Sequence, residues 1–324
     1  APPPIGGITS WTVAYMDQMP ELGCIPTLVN TTVTGKRLEN NAKVNFFDEF
    51  LRLRAIRTHI KKALQDKEIK VLHYNASCFT FGLVRDYLIL KPYFKKVAIV
   101  YHCHCNLETN VNNKIARLFF SQIAKRVRCI LTLNRNSFCF AKKYTSNVKI
   151  VPNFIDELYA KDVQARQELK DIAFVGRVCI LKGTNELVEA AKEIKDVNFH
   201  IIGPDDDHML DAVSVPNIIN HGAQPHDKVI ELLKTMDAVI LPSYTEGFPL
   251  VVMEGMACGL PIVATMVGSI PDMIEDKGGV LIPVKDSRAI VDAIQHIRKK
   301  EIRQAMAEHN IKKVKNEYLS KCVL

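Results

Sequence analysis

The chain has 324 residues, of which 48% are hydrophobic and 24% charged, and its formal net charge is +8. This length suits two domains of ordinary size, and the hydrophobic content is sufficient for a packed core. The sequence has no uninterrupted apolar run of about 18 residues, so we expect no transmembrane helix. The first residues lack the basic start and apolar stretch of a signal peptide.

The cysteines and the charge indicate a compartment and classes of partner. Nine cysteines are scattered along the chain, many of them in apolar runs, which predicts reduced thiols in a cytoplasmic protein. The basic balance favours phosphate-bearing substrates or peripheral association with the inner face of an anionic membrane, with an ordinary basic surface as the alternative. Aromatic residues are not interleaved with the basic ones, so we expect no nucleic-acid partner.

The beginning of the chain is rich in proline and glycine. Residues 1–9 include Gly6 and Gly7 and predict a loop whose backbone comes close to a ligand. A helix is expected from Ile8 to Met19, and a short strand with a loop over residues 24–33. Residues 46–65 have the pattern of a basic amphipathic helix, which suits a membrane surface but is more often packed on a sheet.

Apolar runs at residues 71–74 and 97–101 predict buried strands, and the second leads into His102, Cys103, His104 and Cys105. Successive side chains of a strand point to opposite faces, so only the two histidines, or only the two cysteines, share a face. With no second pair at metal spacing nearby, we expect no zinc site. A histidine at the carboxyl end of a parallel strand is well placed to meet a substrate, with a structural histidine as the alternative.

The remainder of the first half alternates helices and strands. We expect a helix over residues 112–127, a strand over 129–133, a helix over 134–142 and a strand beginning at Val148. Residues 154–170 are polar and mixed in charge, which indicates a linker. The predicted domains are therefore residues 1–153 and residues 154–324.

The second half has clearer alternation and a cationic loop. A strand over residues 172–175 runs into Gly176 and Arg177, and Lys182 precedes a helix that begins near Thr184. Two cations at a helix N-terminus suit a diphosphate, and two solvated loop cations are the alternative. Three successive aspartates, residues 205–207, predict a solvated turn rather than a metal site. Further elements are a strand over 197–202, a helix over 226–236, a strand over 278–283 and helices over 287–299 and 301–319.

Residues 243–265 form the most informative stretch of the sequence. A buried strand over 238–241 precedes it, Gly247 bends the chain, and Pro249 occupies the first turn of a helix over 250–258. The free amides of Leu250 and Val251 at that helix N-terminus would suit an anion. Glu246 in the loop and Glu254 in the helix are acceptor-only groups that suit sugar hydroxyls, although either alone is unremarkable on a loop or helix.

Strands and helices alternate in both halves. This pattern predicts an α/β fold of two doubly wound parallel-sheet, Rossmann-like domains.

Three motifs carry a resemblance to a known family. Glu246-Gly247-Phe248-Pro249, with Glu254 after four more residues, resembles the Glu-x7-Glu signature of retaining GT-B glycosyltransferases of family 4 (glycosyl transferases group 1). Gly176-Arg177 with Lys182-Gly183 is similar to the Gly-Arg and Lys-Gly motif of that family. Residues 268–271, Gly-Ser-Ile-Pro, are similar to its Gly-Gly-x-Pro turn.

The resemblance implies a GT-B fold in which the two domains face each other across a cleft, with residues 1–153 on the acceptor side and residues 154–324 binding the nucleotide-sugar. It also implies an activity and a set of roles. A hexose-type sugar would pass with retention from a UDP- or GDP-sugar to an acceptor, a polysaccharide or lipid-linked glycan precursor, without a metal or other cofactor. The implied catalytic residues are Arg177, Lys182, Glu246 and His102, with His104 as the alternative to His102. The implied donor-binding residues are Gly6, Gly7, Gly176, Phe248, Pro249, Leu250, Val251 and Glu254.

Two further expectations follow from the resemblance. No apolar strand precedes Gly6 and Gly7, so we expect the family's opening strand to be missing from this chain, and its terminal helix to be incomplete.

A nucleotide-sugar-binding protein without turnover and a nucleotide-sugar epimerase are the alternatives to glycosyl transfer. A dehydrogenase is disfavoured because no Gly-x-Gly-x-x-Gly follows a strand.

Overall fold

A computed structural model describes residues 7–31, 46–76, 78–159 and 164–324 of the chain. The chain divides into two compact units, Ala1–Pro152 and Asn153–Leu324. Each unit contains one parallel β-sheet with helices between its strands. The prediction of two parallel-sheet α/β domains is therefore confirmed, and among the described strands the order reverses in the sheet of the second unit. Within the described ranges, no helix combines the length and apolarity needed to cross a bilayer.

The first unit is built on a four-stranded parallel sheet with the order β1-β2-β3-β4. Buried apolar side chains of its strands and helices, including Ile99, Tyr101, Phe120 and Ile130, form one core cluster. The elements in chain order are α1 (Gly7–Gln18), a 3-10 helix (Met19–Leu22), α2 (Phe46–Ala63), β1 (Val71–Ala76), α3 (Thr80–Leu90), β2 (Ala98–Cys103), α4 (Leu107–Asn110), α5 (Lys114–Ala124), β3 (Cys129–Thr132), α6 (Arg135–Lys142) and β4 (Val148–Ile150).

The second unit is built on a six-stranded parallel sheet with the order β10-β9-β8-β5-β6-β7. Strands β8 and β9 are buried along their whole length, as their continuous apolar sequences predict. The elements are β5 (Asp171–Val175), a 3-10 helix (Ile180–Lys182), α7 (Thr184–Glu193), β6 (Asn198–Ile202), β7 (Ile218–Gly222), α8 (His226–Leu233), β8 (Ala238–Leu241), α9 (Leu250–Ala257), β9 (Ile262–Thr265), α10 (Ile270–Ile274), β10 (Gly279–Ile282), α11 (Ser287–His296), α12 (Lys300–Lys313), a π-helical turn (Val314–Tyr318) and α13 (Ser320–Val323).

Three sequence expectations about elements were wrong. The described residues 24–31 form neither helix nor strand, because most of them are exposed and they pair with no sheet edge. The expected loop at the beginning of the chain ends earlier than predicted, since Gly7 is already the first residue of α1. Phe154 and Ile155, which open the predicted linker, are buried, and Ile155 bridges Leu319. Those two residues are therefore packed parts of the second unit.

Candidate functional site

The candidate donor site lies at the carboxyl ends of β5 and β8, which are neighbours in the sheet. From β5 the chain continues through α7 to β6, on one side of β5, while β8 pairs with its other side. The loops after the two strands therefore diverge and leave a crevice at this edge of the sheet. Such topological switch points are where open α/β sheets bind their ligands.

Two glycines bring the loops of this site into contact. Gly183 has φ +73°, and a Cβ at this position would collide with the carbonyl oxygen of Pro242, which directly follows β8. Gly268 has φ +58°, and a Cβ there would collide with the carbonyl oxygen of Glu246. Positive φ and close backbone approach are both conditions that favour glycine. The loops that carry Lys182 and Glu246 are therefore held close to the end of β8 by backbone packing.

Lys182 and Glu246 form the central ion pair of the site. Lys182 Nζ lies 2.5 Å from Glu246 Oε1, and the side chains are 30% and 10% exposed. The pair joins a cation after β5 to a carboxylate after β8, which the sequence placed 64 residues apart. The positive charge of Lys182 is thus already paired with a carboxylate, and an entering anion would have to compete with Glu246 for it.

Arg177, the second predicted cation, occupies a more open position. Its guanidinium lies 3.2 Å from a carboxylate oxygen of Asp206, and the two side chains are 54% and 38% exposed. The Gly176 backbone beside it is fixed, because its amide donates to Ile202 and a Cβ at Gly203 would collide with the Gly176 carbonyl. Arg177 therefore extends from a rigid strand end while its side chain stays accessible to a ligand.

The N-terminus of α9 contributes backbone donors to the site. Pro249 is the N-cap, and Leu250 and Val251 are the first two residues of the helix, so their amides have no acceptor within it. Phe248 anchors the turn: its buried ring lies at 83° to the ring of Tyr318, and its carbonyl accepts a hydrogen bond from Asn153. The helix N-terminus is thereby presented at the same sheet edge as Lys182.

Glu254 lies one turn into α9 and is only 8% exposed. Its carboxylate has His226 Nδ1 at 3.7 Å. Burial raises the pKa of Glu254 above the usual carboxyl value, and the charge of His226 acts in the opposite direction. A buried carboxylate with this loose pairing retains acceptor capacity for hydroxyl donors, which is the chemistry expected of a ribose-binding residue.

In the first unit, His102 and His104 lie at the carboxyl end of β2, and their rings are 4.0 Å apart between centroids. They share a face, as strand alternation predicts. His102 is fully buried, and its Nε2 has no hydrogen-bond partner among the described residues. His104 Nε2 lies 3.0 Å from Asn75 Oδ1. The unsatisfied ring nitrogen makes His102 the better candidate of the two for a ligand contact.

Further side chains surround these histidines. His73 Nε2 lies 3.3 Å from His102 Nδ1, and His73 Nδ1 lies 3.2 Å from the hydroxyl of Tyr15. The Trp11 ring packs against both His102 and His104. Burial lowers the pKa of His73 to about 4 and, with a smaller effect of His73, that of His104 to about 3. Burial also lowers the pKa of His102 well below its usual value, so all three imidazoles are neutral at physiological pH.

Of the two glycines in the predicted ligand-binding loop, the structure describes one. Gly6 lies outside the described residues, and Gly7 begins α1.

Among the residues that the structure describes, no three His, Cys, Asp or Glu side chains are arranged to hold a metal ion. The Asp205 carboxylate accepts hydrogen bonds from the Met209 and Leu210 amides, so it stabilises a turn.

Sequence reasoning missed several residues around the site. His73 and Asn75 alternate on β1, and Asn75 lies opposite His102 in the sheet register, so strand periodicity would have indicated a shared face. Tyr244 donates to Glu186 at 2.7 Å, and the ammonium of Lys285 lies 5.0 Å from the centre of the Tyr244 ring. Nothing in the sequence spacing links these three residues, since their contact depends on the sheet order.

Comparison with known proteins concerns the family and the fold. Residues 156–314 match the family model described as Glycosyl transferases group 1. The matched residues lie in the second unit, and the two parallel-sheet α/β units agree with the GT-B fold that the sequence predicts.

The particular relatives are distant. An uncharacterized glycosyltransferase of Methanocaldococcus jannaschii is 30% identical over 158 residues, which cover 47% of this chain and 45% of the relative. A protein of Escherichia coli K12, named as a colanic acid biosynthesis glycosyltransferase, is 31% identical over 156 residues, covering 41% of this chain and 37% of the relative. The chain thus spans less than half of the length of these two curated relatives.

Solved structures resemble the chain over a greater length. Sucrose-phosphate synthase from Thermosynechococcus elongatus has a TM-score of 0.78 at 14% identity, covering 98% of this chain and 91% of that protein. The Anabaena protein HepE, solved in complex with UDP, has a TM-score of 0.69 at 15% identity, covering 83% of this chain and 79% of that protein. At these identities the likeness concerns the fold alone.

Proposed function

We propose that the chain transfers a hexose-type sugar from a nucleotide-sugar to a glycan acceptor, with retention at the anomeric carbon. The observation that carries this proposal is the junction of Lys182, Glu246 and the α9 N-terminus at one switch point of the sheet, within the segment that matches the group 1 family. Retention and family 4 membership rest on the resemblance of the Glu246-to-Glu254 motif.

Each side chain has a role that its environment supports. Departure of a nucleotide diphosphate leaves negative charge on the leaving group and positive character on the sugar. Lys182, Arg177 and the amides of Leu250 and Val251 supply donors for the diphosphate. Because these side chains and amides already supply positive charge and dipoles for the diphosphate, the proposed reaction requires no metal.

The two glutamates and a histidine would hold the remainder of the donor. Glu254, buried in α9, accepts hydroxyls of the ribose, and Glu246 orients the sugar once Lys182 is engaged by phosphate. His102, with its unsatisfied Nε2, would contact the sugar, and His104 is the alternative. Gly176, Phe248 and Pro249 shape the backbone around the diphosphate.

UDP is the first nucleotide to test, since the Anabaena structure contains UDP, and GDP is the second. A polysaccharide or lipid-linked precursor is proposed as acceptor because a relative is named for colanic acid biosynthesis. The nine cysteines are free thiols, in keeping with a reducing, cytoplasmic location. The group 1 match favours transfer over a binding protein without turnover or an epimerase.

A calorimetric titration tests the donor site. UDP, GDP and ADP are titrated into the wild-type chain and into Glu254→Ala, with and without EDTA. We expect one nucleotide to bind, EDTA to have no effect, and the variant to lose affinity at least ten-fold because a buried hydroxyl acceptor is gone. Absence of binding by all three, in a sample whose circular dichroism melt is cooperative, would contradict the proposal.

A further inference from the structure

The two units differ strongly in charge. The first unit contains 23 Lys and Arg against 9 Asp and Glu, a formal net charge of +14, whereas the second contains 20 against 26, a net charge of −6. Within residues 109–155 there are nine Lys and Arg and no Asp or Glu. A donor site in the acidic second unit does not account for this excess, which indicates an anionic partner for the first unit.

The same unit exposes large apolar side chains at the beginnings of α3 and α5. Phe81 is 91% exposed, Phe79 61%, Ile115 57% and Leu118 56%. We call these four residues the α3–α5 patch. Exposed side chains of this size are common singly, but four at the starts of two packed helices mark an interaction site.

The two helices that carry these side chains begin next to each other. Asn113, the N-cap of α5, donates to Thr80, the first residue of α3, at 2.7 Å. Farther along, the rings of Tyr87 and Phe119 meet with centroids 5.4 Å apart. The two helices therefore run side by side in the same direction, and both begin at one edge of the unit. The exposed cations Lys114 and Arg117 lie on the same first turns of α5 as Ile115 and Leu118.

We propose that the α3–α5 patch docks the first unit on an anionic lipid bilayer. Phenylalanine and aliphatic side chains enter the boundary between headgroups and acyl chains, while lysine and arginine beside them contact anionic headgroups. A soluble polyanion would be attracted mainly by the charge, and although a base could stack on Phe81, it would gain little from the aliphatic side chains Ile115 and Leu118. The apolar patch within a basic surface therefore favours a bilayer over a free polysaccharide or nucleic acid.

This docking goes beyond glycosyl transfer and does not depend on it. Strands β1 and β2 are parallel, and α3 begins after the carboxyl end of β1, so the patch lies at the sheet edge where β2 ends with His102 and Cys103. If the proposed function holds as well, the acceptor side of the first unit would face the membrane, as a lipid-linked acceptor requires.

Vesicle co-sedimentation tests the proposal with the full chain. Vesicles of equal parts phosphatidylglycerol and phosphatidylcholine are compared with phosphatidylcholine alone, at low and physiological salt. The variants are Phe81→Ser and Lys114→Gln, and the matched control is Ile25→Ser, a residue of the same unit that is 94% exposed and outside α3 and α5. These side chains are exposed, so the melting temperature should not change.

We expect binding to the anionic vesicles only. Phe81→Ser should bind about ten-fold more weakly because it loses the aromatic ring that enters the bilayer on docking. Lys114→Gln should bind about five-fold more weakly because it loses one positive charge near the membrane surface. Ile25→Ser should bind as the wild type does. The proposal is overturned if the chain stays in the supernatant at low salt, or if Phe81→Ser binds like the wild type. It is also overturned if heparin binds wild type and Phe81→Ser equally and displaces both from vesicles, since the surface would then be a general polyanion site.

Discussion

Removing the carboxylate of Glu246 should strengthen the binding of UDP while it weakens transfer of the sugar. In the structure Glu246 lies 2.5 Å from Lys182, so the cation proposed to bind the diphosphate is already neutralised. A diphosphate that enters must displace this carboxylate or bind beside its negative charge. Glu246→Gln removes both obstacles and retains the shape of the side chain.

The magnitude follows from the burial of the pair. Hydrogen bonds between charged groups contribute about 1.5–3 kcal/mol. Lys182 is 30% exposed, which places this pair at the lower end because solvent screens it. A gain of about 1.4 kcal/mol corresponds to a ten-fold lower Kd. UDP is the appropriate ligand because it lacks the sugar that Glu246 is proposed to orient.

The assay is a calorimetric titration of UDP, with Glu189→Gln as the control. Glu189 pairs with Lys192 at 2.7 Å in the same unit, but both side chains are more than half exposed, so this variant changes the net charge by the same amount without touching the site. The control should change the Kd less than two-fold by the screening of exposed charges. A Kd for Glu246→Gln that is unchanged, raised, or lowered only as much as in the control would refute the reasoning.

Three further predictions concern packing, protonation and thiols. Gly183→Ala should be less stable than the control Gly222→Ala by about 2 kcal/mol or more in urea unfolding, because both glycines have positive φ but only a Cβ at Gly183 would meet the Pro242 backbone; equal losses would contradict this. Glu254→Gln should raise the stability at neutral pH, because a buried carboxylate whose pKa is raised no longer ionises, and should weaken nucleotide binding; the gain in stability should vanish in acid. The sign follows because the pKa of Glu254 is higher in the folded state than in the unfolded state, so the free energy of unfolding of the wild type falls as the pH rises between these two pKa values. If the difference in melting temperature between Glu254→Gln and the wild type does not change with pH, this argues against a buried, ionising Glu254. Cys24, Cys139 and Cys322 are exposed and should react rapidly with a thiol reagent. Cys78 and Cys103 are buried, with raised pKa values, and should react only on unfolding. Mass spectrometry of the labelled peptides measures the order, and earlier labelling of the two buried cysteines would contradict the prediction.

The second unit was predictable because its sequence patterns are local and strong. Strand β8 was predicted with its observed bounds, and α9 with its first residue, from an apolar run followed by Gly247 and Pro249. The segment between β1 and β2 gave no such signal, and α3 was not predicted there. The first residue of α3 is preceded by Phe79, which offers no side-chain cap, so the usual N-terminal signature is missing.

The site was only partly predictable, since spacing identifies residue types but not partners. The motifs of the second unit placed cations and carboxylates at strand ends, yet the direct pairing of Lys182 with Glu246 depends on β5 and β8 being adjacent in the sheet. The contact of His226 with Glu254 and of His73 with His102 likewise requires the sheet order. The roles assigned to these residues stay predictions.

A crystal structure of the chain with UDP tests the central claim most directly. The account predicts electron density for the diphosphate at the amides of Leu250 and Val251, with Lys182 turned from Glu246 towards a phosphate oxygen and the ribose hydroxyls on Glu254. Density for the nucleotide at another part of the chain, with the Lys182–Glu246 pair intact, would contradict it.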